Sequence, residues 1–254
     1  MPGTSVRITA TDGGEFDCYL AMPAGGDTAP AVVLVCSIDG VDADLRQIAD
    51  AFAAAGYVAA APDVFWRTVP GPLASGDPRA HERSQPRLDK IATNERDLVD
   101  TLAYLRTLPQ CNGRAATMGF CYGGPFAILG PKRLGYDAGL ACHGSQMLDY
   151  IGELKSVTAP VCIIWGDQDH RAPPPGLDAY RAVAKHVQNV EVHIFPGIQH
   201  GFMMPSSREE FDASTRDFAM ERAFAILNDL RGGTAPHDMR RGRSPVASPR
   251  GSQR

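Results

Sequence analysis

Three short stretches hold side chains that could carry out nucleophilic chemistry together: "MGFCYGGPF" at 118–126, "GDQDHRAP" at 166–173 and "PGIQHGF" at 196–202. In the first, Gly119 and Gly123 flank Cys121 at minus two and plus two, where a strand turning tightly into a helix has no room for a side chain. Pro125 suits the first turn of the helix that would follow. A thiol on such a turn stands above the sheet edge, at a helix N-terminus whose dipole and free amides favour thiolate. The Tyr122 amide would point at an oxyanion formed there. Taken alone, the same residues equally describe a glycine-rich structural turn around a small buried cysteine. The other two stretches bear on the choice, because Asp169 and His200 follow predicted strands in the order nucleophile, acid, base. The His200 imidazole would take the thiol proton, and Asp169 would hold the ring's other N–H.

Other readings of these side chains are weaker. Asp167, Asp169 and His170 could ligate a metal, but no other cluster has matching spacing, and neither a metal nor a cofactor is expected. Asp167 reads as a turn residue that satisfies local backbone groups. His143, in "CHGS", ends a strand but precedes the acid, which assigns it to the pocket wall or to a buried hydrogen-bonded position. Ser145 has no elbow of its own and is a poor rival nucleophile. His81, His186, His193 and His237 read as surface or loop residues.

Positioning such groups requires a strand-rich frame, and the hydropathy pattern predicts one. VRITA (6–10) and FDCYLAM (16–22), joined through Asp12-Gly13-Gly14, read as an antiparallel hairpin. AVVLVC (31–36), YVAAAPD (57–63), RAATMGF (114–120), DAGLACH (137–143), PVCIIW (160–165) and VEVHIF (190–195) read as further strands. Helical stripes fall between them, at Leu45 to Phe52, Leu88 to Leu105, the stretch up to about Leu134, and around 177–187. Residues 65–86 are rich in Pro and Gly and poorly periodic, a pattern that predicts a long loop, either functional or disordered. A capping box from Ser206 or Ser207 with Glu209 or Glu210 is expected to start a last helix carrying Phe211, Phe218, Phe224, Leu227 and Leu230. The alternation predicts an α/β fold: a mostly parallel twisted sheet with helices on both faces and chemistry at the carboxyl ends of the strands.

Composition narrows the function classes. Of 254 residues, 44% are hydrophobic and 21% charged, and no apolar run is long enough to span a bilayer. MPGTSVRITATDGG lacks the cationic patch and apolar run of a secretory signal, so a cytoplasmic location is the expectation. The six cysteines lack zinc spacing, and four of them sit in strand-like runs, so no disulfide framework is expected. Net charge is −4, but the arginine-rich stretch from residue 231 onward masks a more acidic body, which argues against nucleic-acid binding by the folded part. Residues 1–230 read as one domain and 231–254 as a disordered basic tail.

With "GFCYGG", "GDQD" and "HGF" in order, and "APDVFWR" after the second central strand, the chain resembles the dienelactone hydrolase family of α/β-hydrolases from the opening hairpin to about residue 230. The resemblance implies a Cys121, Asp169, His200 triad, an oxyanion hole from the amides of Tyr122 and Ile38, and cofactor-free hydrolysis of a small-molecule ester or lactone through an acyl-thiol. It also points to two departures. Ser37 stands where the best-known members carry a glutamate that contacts the thiol, and Met204 stands where they carry an arginine that holds a substrate carboxylate. Asp39, nearby, reads as a solvated turn residue. Arg79 and Arg83 are both candidates for a second carboxylate-holding arginine, and Trp66 and Phe202 join Met204 as candidate apolar pocket walls. The resulting expectation is a thiol-dependent hydrolase favouring less charged esters or lactones. A second reading is a non-catalytic ligand-binding or redox-sensing protein that keeps the fold and uses Cys121 as an oxidisable thiol.

Overall fold

The computed structural model describes residues 2–232; the expected tail lies outside them, except that Arg231 and Gly232 close the last helix. The eight strands are β1 (Thr4–Thr9), β2 (Glu15–Ala21), β3 (Ala29–Val35), β4 (Val58–Pro62), β5 (Cys111–Phe120), β6 (Ala138–Cys142), β7 (Val161–Gly166) and β8 (Val190–Phe195). They form one sheet in the order β1-β2-β4-β3-β5-β6-β7-β8. Only β1 and β2 run antiparallel to their neighbours, and the rest of the sheet is parallel. Strands β3, β4, β6 and β7 are apolar and buried along their length, and β5 is buried from Ala115 onward, as expected for strands covered on both faces.

The helices are α1 (Ala43–Ala54), α2 (Pro78–Arg83), α3 (Arg87–Thr107), α4 (Phe126–Arg133), α5 (Ile151–Leu154), α6 (Pro174–His186) and α7 (Ala213–Gly232). Crossovers between parallel strands are right-handed, so the direction of travel along the sheet decides the face each helix covers. The chain moves one way from β3 through α1 to β4, and the other way through α3, α4 and α6. This places α1 on one face and α3, α4 and α6 on the opposite one. The last helix, α7, returns to the side of α1, where the Phe52 and Phe224 rings meet edge to face at 5.3 Å. Travel reverses between β3 and β5, which opens a crevice beyond their carboxyl ends, the usual ligand position in such sheets. Ile38 follows β3 and Cys121 follows β5, one on each side of that crevice.

Two local expectations are corrected. The segment 65–86 is not wholly a loop: Asp77 caps α2 by accepting from the Arg79 amide at 2.9 Å, and Pro78 opens the helix. The last helix begins later than its sequence suggests. Ser206 and Ser207 sit in a short 3₁₀ turn, and Asp212 accepts from the Thr215 amide at 2.7 Å in the capping position. An aspartate directly before the helix competes better for the free amides than serines several residues upstream. Asp212→Ala should therefore destabilise the protein by about 0.5–2 kcal/mol, lowering Tm by roughly 2–6 °C in a thermal melt, whereas Ser207→Ala should leave Tm unchanged.

Candidate active site

Strand β5 ends at Phe120, and the next residue, Cys121, has φ of 48°, in the left-handed region that non-glycine residues seldom occupy. A short 3₁₀ turn follows over Cys121–Gly123, and then α4 begins. A Cβ on Gly119 would overlap the Gly123 carbonyl, and one on Gly123 would overlap the Val35 carbonyl at the end of β3. The two glycines thus let the turn fold back on β5 and press against β3, leaving the thiol lifted at the sheet edge.

The loop after β7 carries Asp169, whose side chain is fully buried, and the loop after β8 carries His200. His200 Nδ1 lies 2.9 Å from both Asp169 oxygens, and the Arg171 amide donates to Asp169 Oδ1 at 2.8 Å. Asp169 is thereby fixed from two sides and holds one tautomer of the ring. The other ring nitrogen, Nε2, is buried without a hydrogen-bond partner of good geometry, while the Cys121 sulfur lies close enough for its charge to act on the ring. Burial works against an imidazolium here, but Asp169 and Cys121 outweigh it and raise the His200 pKa to about 10. Burial likewise works against a thiolate at Cys121; the nearby His200 imidazole and its charge, then Ser145 and Arg87, outweigh it and hold the thiol below its ordinary value. Cys121 and His200 thus each favour the charged form of the other. Ser145 Oγ stands 3.7 Å from Cys121 Sγ, so it contacts the thiol as a neighbour.

A cavity of about 90 Å³ contains Cys121 and is walled by Ile38, Arg87, Ser145, Gln146 and Arg171, with His81 at its edge. Tyr122 turns its side chain into the core, where its hydroxyl donates to Asn94 Oδ1 at 2.6 Å, so only its backbone remains near the cavity. Arg87, poorly exposed, donates through Nη2 to the carbonyls of Tyr122 (3.0 Å) and Ser145 (2.9 Å), tying the turn to the loop after β6. Arg171 sits on the exposed rim.

The six candidate substrate contacts do not line this cavity. Ser37 lies at the crevice, but its Oγ accepts from the Asp39 amide at 3.1 Å. Arg79 is exposed and paired with Asp77 at 2.7 Å. Arg83 is buried and spends its donors on the carbonyls of Ile38, Val69 and Gly71 at 2.7–3.0 Å. A guanidinium so engaged anchors the 69–71 segment over the Ile38 loop. Trp66 packs on Phe16 and donates to Asp97 at 3.2 Å, and Phe202 and Met204 are core residues. Asp39, read as solvated, is half-buried, and burial pushes its carboxyl up. Asp167 does not satisfy local backbone groups as expected; its Oδ1 accepts from the Gly197 amide at 2.8 Å and ties the loop after β7 to the loop after β8. His193 is not a loop residue; it lies on β8 and pairs with Glu191 at 3.1 Å.

His143 is buried, as one of its two readings had it, but it is not hydrogen-bonded. Both ring nitrogens lack partners, and its ring meets those of His200 at 4.9 Å and Phe202 at 5.1 Å. Burial first, and the nearby His200 charge second, drive its pKa well down, so it stands behind His200 as a neutral ring. Of the cavity residues that sequence reasoning missed, Arg171 had a signal in its place two residues after Asp169. Arg87 and Gln146 had none, because their roles depend on where α3 and the loop after β6 meet.

The sheet, its reversal point and the turn define an α/β-hydrolase. Comparison with known proteins narrows the class: residues 16–230 match the model of the dienelactone hydrolase family, and the chain belongs to that family. It is 28% identical to carboxymethylenebutenolidase 1 of Cupriavidus pinatubonensis, over 91% of this chain and 99% of that one. It is 27% identical to carboxymethylenebutenolidase of Pseudomonas putida, over 89% of this chain and 96% of the relative. Among solved structures, a dienelactone hydrolase-like promiscuous phosphotriesterase from metagenomic libraries superposes with a TM-score of 0.77 at 18% identity, covering 91% of this chain and 100% of that one. The protein is a hydrolase.

Two outcomes follow from this geometry. Gly123→Ala should lower Tm by at least ~4 °C and slow alkylation of Cys121, because the added methyl group forces the turn away from β3. Asp169→Asn removes the carboxylate that sustains the imidazolium, so the thiol pKa should rise toward its ordinary range and iodoacetamide inactivation at pH 7 should slow by at least ~10-fold.

Proposed function

We propose that the protein hydrolyses small carboxylic esters or lactones with Cys121 as the nucleophile, through an acyl-thiol intermediate. The observation that carries this reading is the thiol itself, raised on a strained turn at φ of 48° and paired with an imidazole that Asp169 holds at 2.9 Å. The thiolate attacks the carbonyl carbon, and the carbonyl oxygen takes up the negative charge between the amides of Tyr122 and Ile38. Collapse breaks the bond to the alkoxy oxygen, which leaves with the proton from His200 Nε2. The neutral imidazole then takes a proton from water as its oxygen attacks the acyl carbon. Release of the acid restores the thiolate–imidazolium pair. Asp169 keeps the ring oriented throughout.

In this reading Ser37 does not take part in thiol activation. It cannot act as the base that a glutamate would supply, and the charge of His200 meets the need instead. In support of a preference for less charged substrates, Arg79 is engaged with Asp77 and Arg83 with backbone carbonyls, so neither is free to hold a carboxylate; of the arginines at the cavity, Arg87 spends Nη2 on backbone carbonyls and Arg171 stands on the exposed rim. Met204, buried in the core, does not contribute to that preference.

Turnover of matched neutral and carboxylated esters and lactones tests the reading. Wild type should favour the neutral member by at least ~10-fold in kcat/KM, and Cys121→Ala should lose at least ~10³-fold on both. Equal activity in the variant would rule out the thiol mechanism, and preference for the carboxylated member would rule out the substrate assignment.

A further inference from the structure

The 90 Å³ around the thiol is the share of only about three liquid waters, enough for a carbonyl and its immediate substituents but not for the body of a substrate. A second cavity of about 660 Å³ adjoins it and shares three of its walls, Arg87, Gln146 and Arg171, which together form the neck between the two. The larger space falls in the size range of small-molecule sites, roughly 300–1,000 Å³. It lies between the N-terminal turn of α3, the loop after β6 and the first turn of α6.

Its lining is chemically one-sided. Leu88, Met147, Leu148, Trp165, Ala172 and Tyr180 supply apolar surface. The polar ends of the two aromatic residues are tied back into the protein, Trp165 Nε1 to the Gly144 carbonyl at 2.8 Å and Tyr180 Oη to the Met147 carbonyl at 2.6 Å. Both residues are buried and form the fixed floor of the cavity, so its accessible apolar surface comes mainly from the leucines. Three large apolar side chains stand out as exposed among the described residues, and two of them, Leu88 and Leu148, belong to this cavity. Single exposed leucines are ordinary, but two on the wall of one cavity mark a surface meant to be covered. At the neck, Arg87 Nε is buried without a hydrogen-bond partner, a donor that an oxygen of a bound ligand would satisfy.

We propose that this cavity seats a bulky apolar group of the substrate. The enzyme then acts on esters or lactones that carry a medium-length aliphatic chain or an aromatic ring, with an oxygen acceptor at the Arg87 neck. This rests on the reading of Cys121 as the hydrolytic nucleophile, and it adds the substrate class. The apolar group can belong to the acyl or to the alcohol part, and the experiment separates the two.

The test compares kcat/KM for p-nitrophenyl acetate and octanoate, which lengthens the acyl part, and for ethyl and octyl acetate, which lengthens the alcohol part. Each methylene that enters an apolar site is worth about threefold to fourfold. In one of the two series kcat/KM should rise by at least ~10-fold. The Leu88→Asp, Leu148→Asp double variant alters exposed positions only, so its circular dichroism should be unchanged. It should lose the rise, so that the long- and short-chain members of that series are hydrolysed with kcat/KM values within about twofold of each other. No rise in either series, or a rise that survives in the double variant, overturns the proposal. If p-nitrophenyl acetate itself is not hydrolysed, the nucleophile reading fails. Calorimetric binding of 2-naphthol to Cys121→Ala then judges the cavity alone: binding that Leu148→Asp abolishes supports an apolar site, and no binding refutes it.

Discussion

The Cys121 thiol and the His200 imidazole are buried together at the end of a hydrophobic sheet, where a charge on either is costly. Burial favours the neutral form of both, yet the thiol is held below its ordinary pKa and the imidazole above it, because each stabilises the other's charge and Asp169 bonds the ring from its far side. The charged forms of Cys121 and His200 depend on each other. The requirement to keep three side chains from three loops in register explains much of the rest of the structure. Strands β5, β7 and β8 each end below one member, and the sheet fixes their spacing. Asp169 is tied to its own loop by the Arg171 amide. His143, neutral and packed against His200, fills the space behind the imidazole without adding charge.

Two buried arginines extend this frame away from the charges. Arg83 gathers the carbonyls of Ile38, Val69 and Gly71, and Arg87 joins those of Tyr122 and Ser145. In both cases a guanidinium with several donors satisfies carbonyls from separate segments that no strand or helix could pair. The segments so joined, after β3, β4, β5 and β6, lie around the crevice where the sheet reverses direction. The arginines act by fixing the backbone, and Arg87 also lends its charge to the thiolate.

The strand and helix alternation was legible because it depends on local periodicity and on glycines at the turns, and the elbow was legible because Gly119 and Gly123 leave a fixed spacing around Cys121. Asp169 and His200 could be found by their positions after strands. The roles of the arginines could not. A guanidinium in a Pro- and Gly-rich stretch looks equally suited to a substrate carboxylate and to backbone carbonyls, and only the path of residues 69–71 decides for Arg83. The cavity walls were hidden for a related reason. Arg87, Gln146 and Arg171 come from three elements that meet only after the sheet has formed, and no spacing in the chain records their approach. Met204, Phe202 and Trp66 looked like pocket residues by type, but packing claimed all three.

The central claim is that a covalent bond forms at Cys121. Intact-protein mass spectrometry of enzyme quenched in acid during turnover of p-nitrophenyl acetate, followed by peptide mapping, tests it directly. The account predicts a single added acetyl group on the peptide that contains Cys121, at its highest level early in turnover and lost once substrate is exhausted. Turnover with no adduct, or with the acetyl group on Ser145, would contradict it.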